Sequence, residues 1–138
     1  MPIITEPLEP DSEDLYKTQD SREDVVNFIL EDLQWAYDHI STSKATPNNV
    51  AINKWTAMAF KARVALFEAS WRKYHAGTEY VKGCTTSADQ LYKIAADAAN
   101  TIMTQGPYSL YTGTANGTGE AGDGRGTYRD LFTSEVTN

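Results

Sequence analysis

At 138 residues, with 41% hydrophobic and 22% charged side chains, the chain has the size and composition of one globular domain, and no run approaches the roughly 18 apolar residues of a membrane span. Its net charge of −7 is concentrated early: residues 1–40 carry eleven acids against Lys17 and Arg22, while the remainder carries eight acids against ten bases. With no basic patch to displace counterions, nucleic acid is excluded as a partner.

The leading stretch MPIITEPLEPDSEDLY lacks the basic and apolar regions of a secretory signal, which leaves either a cytoplasmic chain or a piece of a longer one. Pro2, Pro7 and Pro10 make residues 1–20 an irregular leading segment. Residues 21–106 read as three main helices. Ser21 and Asp24 have capping spacing, and Val26, Ile29, Leu33, Ala36 and Ile40 recur at steps of three and four, predicting an amphipathic helix over 22–40.

A polar loop, STSKATPNN, follows, and Asn53 is placed to cap the next helix. That helix, NKWTAMAFKARVALFEASWRKYH, reads as long and largely buried, with Trp55, Met58, Ala59, Ala62, Leu66 and Ala69 on one face and alanines that admit a close neighbour. After HAGTEYVKGCTTS, Ser87 and Gln90 form a capping box before a stripe of Leu91, Ala95, Ala99 and Ile102, with Gly106 and Pro107 as the stop. Residues 107–138 form a loop-rich tail: YSLY, a glycine loop and a short TYRDLF turn. The fold class is therefore all-α.

Within GTANGTGEAGDGRGTY, Gly117, Gly119 and Gly122 match G-x-G-x-x-G, but no strand precedes them and no helix follows, so the pyrophosphate cradle is missing. Glu120 and Asp123 lack the ligand ladder of an EF-hand, and Cys84 stands alone, so neither a metal nor a cofactor is expected. His39 and His75 sit at helix ends with no nucleophile motif, and no catalytic residues are assigned. The aromatics are more informative. Trp35 and Trp55 read as packing residues, whereas Trp71, Tyr74, Tyr80, Tyr111 and Tyr128 lie at helix ends or in loops, where they can meet a ligand.

The blocks PIITEPL, SREDVVNFILEDLQWAYDHI, AINKWTAMAFKARVALFEASWRKYH, LYKIAADAANTIMTQGPYSL and YRDLFTSEV, in this order, resemble the SusD/RagB family. The most specific part is Ala62-Arg63-Val64-Ala65-Leu66 following Asp32-Leu33, then Gly106, Tyr108 and Leu110. Trp71 departs from the family's frequent proline, and the glycine loop is longer than the usual link. The resemblance implies a fold of TPR-like helical hairpins and a non-enzymatic lipoprotein on the outer-membrane surface of Bacteroidetes-type bacteria.

Such a protein binds a polysaccharide or oligosaccharide and works with a SusC-type TonB-dependent transporter. This chain would be an internal segment, with the lipid anchor elsewhere. Trp71, Tyr74, Tyr111, Arg125 and Tyr128 are the residues expected to face a sugar. A free-standing TPR-like adaptor that binds protein segments in a helix groove is the alternative.

Overall fold

The computed structural model describes residues 1–40 and 52–108. The loop around Pro47, the glycine loop and the TYRDLF turn lie outside the described residues, as do Tyr111, Arg125 and Tyr128. The described residues are helical and contain no strand, so the all-α class holds. Three helices carry the fold: α1 (Arg22–His39), α2 (Lys54–Tyr74) and α3 (Ala88–Gln105), with 3-10 turns at Glu13–Tyr16 and Glu79–Val81.

Each helix starts at the residue whose side chain can satisfy a free backbone N–H. The Ser21 hydroxyl accepts from the Asp24 N–H at 3.0 Å, and Asn53 Oδ1 accepts from the Thr56 N–H at 3.0 Å. Ser87 Oγ accepts from Gln90 N–H at 3.2 Å while Gln90 Oε1 accepts from Ser87 N–H at 2.7 Å, closing the capping box. Glu23 and Asp24 stand in the first turn of α1, and Arg72 and Lys73 in the last turn of α2, where each sign suits the helix dipole.

α3 ends at Gln105, but Gly106 has φ −73° and ψ 154°, so left-handed freedom is not what stops the helix. Pro107 forces its predecessor into extended backbone. Glycine is needed at 106 for space, because a Cβ there would collide with the Ile102 carbonyl oxygen.

The helices run up, down and up. The start of α1 meets the end of α2 through Arg22 and Glu68, and the start of α2 meets the end of α3 through Asn53 Nδ2 donating to Tyr108 Oη at 3.3 Å. α2 is central and packs on both neighbours. The core consists of Val26 and Leu30 from α1, Ala65 and Ala69 from α2, and Leu91 and Ala95 from α3, flanked by Val64, Tyr92 and Ile94. Ala65, Ala69 and Leu91 are fully buried. Two alanines one turn apart let both neighbouring backbones close on α2, with Leu91 filling the space between.

This packing corrects the face expected for α2. Its buried arc is Trp55, Ala57, Met58, Ala65, Glu68, Ala69 and Arg72, while Ala59 and Leu66 are exposed and Ala62 is half-buried. α2 is long but not largely buried, since Phe60, Leu66 and Phe67 all reach solvent. Where both neighbouring helices meet the middle of this arc, the small Ala65 and Ala69 occupy it, and Phe60, Leu66 and Phe67 fall to the flanks. In α1 and α3 the shift is smaller: Leu30 and Ala98 are buried, and Ile29, Leu33, Ala36, Ile40, Ala99 and Ile102 are half-buried.

Trp55 packs as expected, with its ring edge-on to Tyr37 at 5.7 Å. Trp35 does not; it is 63% exposed and stacks on His39 with ring centroids 4.2 Å apart. The leading segment folds back on itself: Asp20 Oδ2 accepts from the Ile3 N–H at 2.6 Å, and Lys17 Nζ donates to the Ile3 carbonyl at 2.9 Å.

Candidate functional site

Where α1 begins, α2 ends and the loop into α3 passes, four charged side chains assemble that apolar periodicity does not reveal. Glu68 and Arg72 lie one turn apart on α2 and pair at 2.9 Å. Arg22 reaches Glu68 at 2.7 Å from α1, and Arg72 Nη1 reaches Glu23 at 2.5 Å. Arg72 Nη1 also donates to the Thr86 carbonyl at 2.7 Å. Glu23 Oε1 accepts from the hydroxyls of Thr85 and Thr86, at 3.1 and 2.5 Å, and from the Thr86 N–H at 3.1 Å.

Glu23, Glu68 and Arg72 are buried, so their charges survive only because each is paired and hydrogen-bonded. Burial alone would raise the Glu23 carboxyl, but the Thr86 hydroxyl and N–H and the Arg72 guanidinium outweigh it and bring it down to about 2. Burial would likewise lower Arg72; its bonds to Glu68 and Glu23 hold it above its usual value. The cluster clasps three segments together. It also sets the position of Arg22, whose guanidinium lies 4.5 Å from the centre of the Trp71 ring.

Trp71 is therefore part of a stacked group. His75, one turn later, lies against it with ring centroids 3.9 Å apart and bonds through Nδ1 to the Trp71 carbonyl at 2.9 Å. Tyr80 from the loop meets Trp71 edge-on at 6.2 Å, and Phe67 stands 6.4 Å away. Trp71 Nε1 is buried without a hydrogen-bond partner. Tyr74, three residues along α2, is 80% exposed, and Tyr80 is 68% exposed.

Chemically, Tyr74 and Tyr80 offer open aromatic surface, while Trp71 is held half-buried between Arg22 and His75. Of the residues expected to face a sugar, Trp71 and Tyr74 share one end of α2; the other three lie outside the described residues. Beside this end a cleft of about 440 Å³ opens between α1 and α2, walled by Val25, Ile29, Val64 and Phe67 with Arg22 and Glu68 at its charged edge.

Sequence reasoning did not find Arg22, Glu23, Glu68 and Arg72. The available signal was the Glu68-x-x-x-Arg72 spacing beside Ala65 and Ala69. Among the described residues no group of three or more His, Cys, Asp or Glu is placed to hold a metal ion, and no helix is long and apolar enough to cross a membrane.

Fold and site together define an all-α protein whose described residues form three antiparallel helices, clasped by a buried ion cluster under an aromatic surface. No family model, curated protein or solved structure matches the chain.

Proposed function

We propose that this chain is the TPR-like helical part of a SusD-like glycan-binding protein that works without catalysis at the bacterial outer-membrane surface, beside a SusC-type TonB-dependent transporter. The observation that carries this reading is the ordered set of sequence blocks. SREDVVNFILEDLQWAYDHI holds α1 and its cap, AINKWTAMAFKARVALFEASWRKYH contains α2, and LYKIAADAANTIMTQGPYSL, from Leu91, covers most of α3 and the stop at Gly106 and Pro107. The aromatic end of α2 adds chemical support, since pyranose faces stack on exposed rings such as those of Tyr74 and Tyr80.

The test is isothermal titration of the full-length protein with a panel of polysaccharides, together with affinity recovery of membrane partners. At least one glycan should bind, and Tyr74→Ala should weaken it by about three- to tenfold. Binding to none of the panel, with no TonB-dependent transporter recovered, would overturn the reading.

A further inference from the structure

The outward face of α2 carries a row of side chains that neither the core nor the ion cluster uses. Phe60, Phe67 and Tyr74 are 52%, 64% and 80% exposed. They stand seven residues apart, so each lies about 10 Å beyond the last with only about 20° of drift around the helix. Arg63 and Ser70 fall between them at steps of three and four, the first exposed and the second half-buried. Ser70 Oγ donates to the Leu66 carbonyl at 2.9 Å and lies 3.2 Å from Tyr92 Oη. The row thus alternates ring and polar group over about 21 Å. Phe67, whose ring lies 6.4 Å from that of Trp71, joins it to the aromatic end of the helix.

We propose that this row binds an extended β-1,4-linked polysaccharide whose sugars carry carboxylates, an inference that rests on the glycan reading above. In a flat chain of this linkage each sugar is turned half a revolution from the last, so every second sugar presents the same face. One disaccharide then spans about 10 Å, the rise of seven helical residues. Sugars stacked on Phe60, Phe67 and Tyr74 leave the intervening ones opposite Arg63 and Ser70. An α-1,4-linked chain curves and loses this register. A partner helix is disfavoured, because its seam needs apolar residues at the positions that Arg63 and Ser70 hold.

Charge selects the carboxylates. The exposed charged residues of α2 are Arg63 and Lys73, while its acid, Glu68, is buried and shared by Arg22 and Arg72. Among the described residues neither Arg63 nor Lys73 forms an ion pair. A guanidinium set between two rings can meet a planar carboxylate through two parallel hydrogen bonds.

Isothermal titration of the full-length protein with four hexasaccharides tests the proposal: β-1,4-mannuronate, cellohexaose, α-1,4-galacturonate and maltohexaose. The mannuronate should bind at least about tenfold more tightly than the galacturonate or maltohexaose, and at least about threefold more tightly than cellohexaose. Phe67→Ala, at an exposed position, should weaken it by at least about fivefold with the helical circular dichroism unchanged. Arg63→Gln should bring mannuronate down to the affinity of cellohexaose and leave cellohexaose itself unaltered. Equal affinity for mannuronate and galacturonate, equal affinity for mannuronate and cellohexaose, or full affinity in Phe67→Ala or Arg63→Gln would each overturn the proposal. Binding of some other polysaccharide but none of these hexasaccharides would overturn it and leave the glycan reading standing, whereas binding of no glycan would overturn both.

Discussion

Arg72 ties α2 to α1 and to the loop before α3. Its guanidinium serves Glu68, Glu23 and the Thr86 carbonyl from a buried position, so Arg72→Met leaves two carboxylates without their shared cation. The expected loss is about 3–5 kcal/mol in urea unfolding, more than a surface ion pair such as Lys82 with Glu79 could contribute. Glu23 adds a pH dependence of definite sign. Its carboxyl falls from the usual 4.5 to about 2, so its contribution is complete above about pH 5 and is lost as pH drops towards 2. The difference corresponds to up to about 3 kcal/mol. Glu23→Gln should therefore flatten the acid limb of the stability curve, and urea midpoints at pH 6 and pH 2.5 measure it.

At the scale of elements, the caps and the alanine arc set where helices start and how closely they meet. Ser87→Ala removes one half of the α3 capping box and should cost about 0.5–2 kcal/mol. Gly106→Ala should destabilise as well, by about 1–3 kcal/mol, because its methyl group meets the Ile102 backbone rather than a yielding side chain. Leu91→Ala, emptying a site enclosed by three helices, should cost about 2–5 kcal/mol. Thermal unfolding of these three variants ranks them directly. The helix starts were legible in the sequence because capping is a local transaction between a side chain and an N–H three residues away. The buried arc of α2 was not, because it depends on which neighbours arrive and from which side.

Across the whole molecule, the two tryptophans outside the aromatic end of α2 separate core from surface. Trp55→Ala should cost about 3–5 kcal/mol, whereas Trp35→Ala, which gives up one stack on His39 in solvent, should cost no more than about 1 kcal/mol. Periodicity placed both residues on helices and assigned both to packing. Only the approach of α2, which buries Trp55 against Tyr37, distinguishes them.

The amino-acid sequence by itself determined the three helices of the described residues, their limits to within a residue or so at Ser21, Asn53, Ser87 and Gly106, and the acidic bias of the first forty residues. These follow from short-range hydrogen bonding, from proline's constraint on its predecessor and from counting charges. The tertiary structure alone decided that Glu23, Glu68 and Arg72 belong to the interior, that Trp71 lies between Arg22 and His75, and that α1 and α3 stand apart over Lys61. Those outcomes join side chains up to 63 residues apart in the chain, as Glu23 and Thr86 are. A buried charge is stable only when its counter-charge comes from another segment, a condition no local pattern records.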